Sequence, residues 1–141
     1  MKPPRPVDEW VIQLARQVWD LARRPPEEVL LVGSRARGTE RPDSDVDLMI
    51  VMHADTTRED VGALSQDIVK IEAASGIRIE PFYPTGAELR DQLERHHRLP
   101  SCAMKDAILL LPEGNISPYI EFAAEIRRRD GEPRCPSDHT S

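Results

Sequence analysis

Two aspartates one residue apart, Asp45 and Asp47, stand ten residues after the pair Gly33-Ser34, and this spacing constrains the chain more than any other feature. On a strand, residues two apart project from the same face, so both carboxylates point together while Val46, Leu48 and Ile50 point into a core. Two carboxylates held on one face repel each other unless a cation neutralises them. Oxygen-only ligands that leave coordination positions open suit Mg²⁺ shared with phosphate oxygens. The Gly-Ser pair follows the apolar run Val29-Leu30-Leu31-Val32, where a strand ends and a helical turn can begin. A glycine there lets backbone amides approach an anion closely, and the serine hydroxyl adds a donor. Arg35 and Arg37 follow within reach of the same anion. Gly-Ser or Asp-x-Asp alone marks many turns and loops; both together at fixed spacing, each introduced by a strand or turn signal, are far rarer.

A third carboxylate would complete a two-metal site, and Glu80 is the candidate. The run 77–83 reads as a third strand, with Pro81 marking an edge or an ending. Ile77 and Ile79 take its core face, which puts Glu80 on the other. If the second and third strands are neighbours, Glu80 faces the aspartate pair. Asp43, after Pro42, reads as a turn residue rather than a ligand.

The remaining elements follow from periodicity. Val7, Trp10, Val11, Leu14, Val18 and Leu21 recur at helical spacing, and Pro25-Pro26 stops the helix. The run 46–52 is the second strand. A helix is expected over 58–75, with Thr56 and Glu59 as a capping box and Gly76 as its stop. Thr85 and Glu88 open another helix reaching about His97. The stretch 101–112 fits either a helix or a short strand, 118–129 reads as a last helix, and 130–141 as a frayed tail. The expected fold is α/β (α+β): one domain over 1–129, a small mixed sheet of three to four strands, and helices packed mainly on one face.

Composition narrows the function classes. Of the 141 residues 39% are hydrophobic and 31% charged, as in ordinary globular proteins. No apolar run approaches the roughly 20 residues a membrane span needs. The start lacks a secretory apolar stretch, so the expected compartment is the cytoplasm. A formal charge of −6 argues against a nucleic-acid surface. The cluster Arg127-Arg128-Arg129 reads as a solvated helix end. Cys102 and Cys135 make neither a disulfide framework nor a zinc site and are expected to be plain thiols. His96 and His97 read as helix-terminal residues, and Trp10 and Trp19 as covers of core or interface.

At Gly33-Ser34 and Asp45-Val46-Asp47 the sequence resembles the DNA-polymerase-β-like nucleotidyltransferase superfamily, whose signature is Gly-Ser, ten residues, then Asp-x-Asp. It is most similar to the minimal nucleotidyltransferases of bacteria and archaea. The resemblance implies that Gly33 and Ser34, helped by Arg35 and Arg37, hold a triphosphate such as ATP. It implies that Asp45 and Asp47 bind two Mg²⁺ ions, and that Glu80, where the family usually has aspartate, acts as third ligand or base. The reaction implied is attack of an acceptor hydroxyl on the α-phosphorus with loss of pyrophosphate. About 55 residues follow the third strand, too few for an acceptor-binding domain of ordinary size. The resemblance thus implies a partner, typically a small helical HEPN-type toxin that such enzymes adenylylate as antitoxins. Transfer to a small hydroxylated molecule with a separate binding subunit, and a non-catalytic partner-binding module, are the alternatives. Self-association is compatible with either.

Overall fold

The structure, a computed structural model, describes residues 6–136. Its elements are α1 (Glu9–Leu21), β1 (Glu28–Val32), α2 (Ser34–Arg37), β2 (Val46–Val51), α3 (Arg58–Ser75), β3 (Ile79–Phe82), α4 (Gly86–Glu94), α5 (Arg98–Lys105), β4 (Ile108–Leu111) and α6 (Pro118–Asp130). The expected mixed α/β class holds. One sheet has the order β3-β2-β1-β4. β1 pairs antiparallel with β2 and with β4, while β2 and β3 run parallel. A parallel pair needs a crossover, and α3 supplies it between β2 and β3.

Every residue of β1 is buried, as expected of a strand with neighbours on both sides and helices above and below. Strand alternation then sorts the core. Val29, Leu31, Leu48, Ile50 and Ile79 pack with Val11, Leu14 and Val18 of α1 and with Leu64 and Ile68 of α3. Leu30, Val32, Met49 and Val51 pack with Leu89 and Leu93 of α4, Met104 of α5, and Ala123 and Ile126 of α6. Helices therefore cover both faces, which corrects the expectation of packing mainly on one. With apolar side chains on both faces of β1, a single helical layer would leave Leu30 and Val32 in water at about 25 cal/mol per Å² of apolar surface.

Local signals locate most ends, with shifts that have physical causes. The cap of α3 is Thr57 with Asp60, not Thr56 with Glu59. Thr57 Oγ1 accepts from Asp60 N at 3.1 Å, and Thr57 N donates to the Asp60 carboxylate at 3.3 Å. Both boxes have the same form one residue apart, and the three-dimensional entry of the chain selects between them. The second box, Thr85 with Glu88, is as expected. α4 stops at Glu94 rather than near His97, because His96 takes a left-handed φ of 57° and closes the helix. His96 Nε2 then lies 2.7 Å from Asp130 at the end of α6. The ambiguous stretch holds both structures, α5 and then β4. Pro100 fits the first turn of α5, where a backbone N–H has no intrahelical acceptor. On α1 the buried stripe is Val11, Leu14, Ala15 and Val18, leaving Trp10 and Leu21 partly exposed.

Cys102 and Cys135 correct the expectation of plain thiols: they are bonded to each other, with Cα atoms 5.5 Å apart across a separation of 33 residues. α5 packs on α6, and the segment after α6 turns back along α5, so residues distant in sequence meet. Of the tail expected over 130–141, residues 137–141 lie outside the described residues. The described part, 130–136, is tied by the disulfide and by Glu132, which faces Lys105 and Arg127 at 3.8 Å each. Among the described residues no helix is long and apolar enough to cross a membrane.

Cross-linking residues this far apart restricts the unfolded chain by about 3–4 kcal/mol on the loop-entropy account. Cys102→Ser should lower the denaturant midpoint under oxidising conditions accordingly. Adding a dithiol reductant should bring the wild type down to the variant while leaving the variant unchanged.

Candidate active site

β1 ends on Val32, and Gly33 carries the chain into α2 with φ 75° and ψ −157°, a conformation open to glycine and strained for any L side chain. Val32 pairs across the sheet with Asp47. The Asp47 carboxylate consequently lies directly over the Gly33 Cα. A Cβ at Gly33 would overlap that carboxylate and sit 3.0 Å from its Cγ and 3.2 Å from the Asp47 Cβ. The glycine of the first motif and the second aspartate of the other are thus one packing contact. Ser34, buried, opens α2 beside it.

On the other side of β2, Asp47 pairs in register with Glu80 of β3. Residues so paired on adjacent strands share a face about 4.8 Å apart. Val46, Leu48 and Ile79 occupy the α1–α3 core, so Asp47 and Glu80 lie on the opposite face, and Asp45, two residues before Asp47, joins them. Gly33, Asp47 and Glu80 form a line across three strands. The electrostatics record the crowding. Burial first, then the charges of Asp45 and Glu80, push Asp47 up to about 6, against the pull of Arg37 and Arg35. The three carboxylates and both arginines singled out in the sequence therefore share one field.

They do not all point at one spot. Among the described residues, no three His, Cys, Asp or Glu side chains converge closely enough to cage a metal ion. Asp45 is turned toward Arg78, whose Nε stands 3.3 Å from Asp45 Oδ1. The donor set still suits a hard divalent cation: carboxylate oxygens on one face, a half-buried one short of neutralising charge, and no soft ligand among them.

Two features of the site were missed in the sequence. Arg35, expected on the anion, donates from Nη2 to the Ser44 carbonyl at 2.9 Å and from Nε at 3.3 Å. Its guanidinium also lies 5.1 Å from the Trp10 ring centroid, a cation–π distance that gives exposed Trp10 its role. Arg35 thereby pins the loop that delivers Asp45. Pro42 and Asp43 form the turn of that loop, as expected. The second missed residue is Arg78. Its signal was present, since Arg78 and Glu80 are two apart on one strand and share a face.

An acid whose folded pKa lies above its unfolded value favours folding while protonated and loses that contribution as pH rises between the two values. For Asp47 the interval runs from its ordinary 3.8 to about 6. Asp47→Asn should therefore be more stable than wild type at pH 7 in metal-free buffer, by about 1–2 kcal/mol after allowance for partial solvation. The difference should vanish below about pH 4. Denaturant unfolding across that range measures it, and a difference independent of pH would contradict the account.

Residues 12–129 match the family model of the nucleotidyltransferase domain. No curated protein sequence matches the chain. Among solved structures, the fold is similar to a crystal structure of a toxin-antitoxin with AMP-PNP, at TM-score 0.54 and 18% identity over 84% of this chain and 85% of that one. A mutant of the toxin-antitoxin MntA-HpeT is similar at TM-score 0.54 and 15% identity, with the same coverage. Identities this low speak to the fold alone. The family match, spanning most of the sequence and the whole of the sheet, places the chain in the nucleotidyltransferase-domain family.

Proposed function

We infer that the protein transfers a nucleoside monophosphate, AMP from ATP, onto a hydroxyl of a partner protein, and that this partner is a HEPN-type toxin which the transfer silences. The observation that supports this reading best is the line Gly33–Asp47–Glu80, in which a glycine turn stands directly against one carboxylate of a facing pair. The two solved structures named above are of toxin-antitoxins, one of them with AMP-PNP, which supports the choice of nucleotide and of a protein partner.

In this reading Gly33 and Ser34 seat the β- and γ-phosphates, because only a residue without Cβ lets the turn close on the Asp47 side of the site. Asp45 and Asp47 would hold Mg²⁺, two ions in the full site. The bound ions supply charge neutralisation at the attacking and leaving oxygens. Arg37 contributes positive charge beside the triphosphate, and Arg35 acts mainly by fixing the 42–45 loop through Ser44. Glu80 stands on the β3 side, away from the glycine turn, and takes the acceptor proton or completes the ligand set. The acceptor oxygen forms a bond to the α-phosphorus, the α–β bridging bond breaks, and pyrophosphate leaves from the Gly33 side. Such catalysis is positioning and electrostatics, with little covalent work for the protein.

The test uses ATP labelled at the α-phosphate, Mg²⁺, and a purified small helical HEPN-type protein as acceptor. Label should appear on the partner band, and Asp45→Asn should reduce its rate by about a hundredfold or more. Label on a small molecule instead would move the acceptor to that class. Full neutralisation of the partner by Asp45→Asn without label would replace the enzyme reading by a binding one.

A further inference from the structure

The face that carries Asp45, Asp47 and Glu80 also carries a cation of its own. β2 and β3 are parallel and in register, with Val46 opposite Ile79 and Asp47 opposite Glu80. One residue earlier, Val46 N donates to the Arg78 carbonyl at 2.8 Å, which fixes Arg78 beside Asp45. Two cross-strand pairs therefore stand side by side on one face: Asp45 with Arg78, attractive, and Asp47 with Glu80, repulsive. The Arg78 Nε meets Asp45 Oδ1 at 3.3 Å, and this contact holds the Asp45 carboxylate toward β3. Asp47 is held over Gly33, on the β1 side. The two aspartates of the motif are thus drawn toward opposite neighbours, although their backbone positions place them on the same face.

We propose that Arg78 is the resident counter-cation of this face, a positioning residue that occupies Asp45 until a divalent ion arriving with the triphosphate displaces it. This rests on the reading of Asp45 and Asp47 as metal ligands. The pair is weak enough to yield: the Arg78 side chain is 78% exposed and that of Asp45 37%. Exposed pairs of this kind change an equilibrium by about fivefold at most. A free ion must compete with Arg78 for one of its two principal ligands. A metal–triphosphate complex meets the same penalty, and its further contacts at Gly33 and Ser34 offset it. Arg78 thereby lowers the affinity of the empty site for bare metal, while the complex retains enough contacts to displace it.

The measurement is Mn²⁺ binding to the full chain without nucleotide, by electron paramagnetic resonance or calorimetry. Arg78→Gln should bind Mn²⁺ about three- to fivefold more tightly than wild type. Arg78→Lys, which keeps the charge and reaches Asp45, should restore affinity toward the wild-type value. Arg95→Gln makes the same change in net charge at the surface pair with Asp91, and should leave Mn²⁺ binding unaltered. With a non-hydrolysable triphosphate present, both proteins should bind Mn²⁺ more tightly, with the same ratio of about three- to fivefold between them. Unchanged or weaker Mn²⁺ binding by Arg78→Gln would overturn the proposal, as would an equal gain in Arg95→Gln. If Asp45→Asn binds Mn²⁺ as wild type does, the metal reading itself falls. Loss of Mn²⁺ binding in Asp45→Asn with no gain in Arg78→Gln would sink the role of Arg78 alone.

Discussion

Everything at the candidate site depends on how closely β1 and β2 approach at Gly33 and Asp47. The antiparallel register pairs Val32 with Asp47, and the next residue of β1 must pass beneath the carboxylate. With any side chain at Gly33 the strand end and the carboxylate could not both keep their places. Glycine resolves this twice, since its backbone also takes a positive φ that an L side chain disfavours. From that contact the rest follows in order. The turn opens α2 with Ser34 at its start, α2 brings Arg35 and Arg37 back toward β2, and Arg35 clasps the Ser44 carbonyl just ahead of Asp45. A loop that leaves the glycine turn is thus tied to the strand that lies over it.

The sheet supplies the second half of the arrangement. β2 lies between an antiparallel and a parallel neighbour, so Asp47 has Gly33 on one side and Glu80 on the other. A fully antiparallel meander would carry β3 straight on from β2 through a hairpin. The α3 crossover instead returns β3 alongside β2 in the same direction, and capping at Thr57 and Gly76 sets where it starts and ends. The charge clustered by this topology is costly without a cation, and Asp47 at about 6 is where that cost shows. Stability given up at a carboxylate cluster is recovered when a ligand binds the folded state alone, by mass action. A cation bound at these carboxylates would therefore raise the stability of the folded chain.

What was legible in the sequence was legible because it is local or periodic. Gly33 at a strand end, the shared face of Asp45 and Asp47, and the placement of Glu80 opposite Ile77 and Ile79 all follow from a period of two. The type of each long helix and the stop at Gly76 follow from spacing and caps. What was missed depends on elements distant in sequence. Two capping boxes one residue apart, at Thr56 and Thr57, cannot be separated without knowing how the chain enters α3. The second helical layer follows from both faces of β1 being apolar, but the periodicity of α4, α5 and α6 shows only that each has an apolar side, not which face of the sheet it covers. Cys102 and Cys135 meet only because the chain turns back along α5 after α6. Arg35 drew attention as an anion binder, and its contact with Ser44 and Trp10 required the loop and α1 to be in place.

Arg78 was missed although its period-of-two relation to Glu80 was present, and it changes how the motif is understood. A strand pattern says that Asp45 and Asp47 share a face; it does not say where their carboxylates turn. The direction is set by neighbours on the flanking strands, Gly33 for one and Arg78 for the other. Glycine offers a space and arginine a charge, so Asp47 is placed by packing and Asp45 by a pair that a stronger cation can replace. Packing contacts are difficult to give up, while an exposed ion pair costs little to exchange. The two aspartates are accordingly unequal partners: Asp47 is held in place by the backbone turn beneath it, and Asp45 is the one whose side chain can turn at little cost.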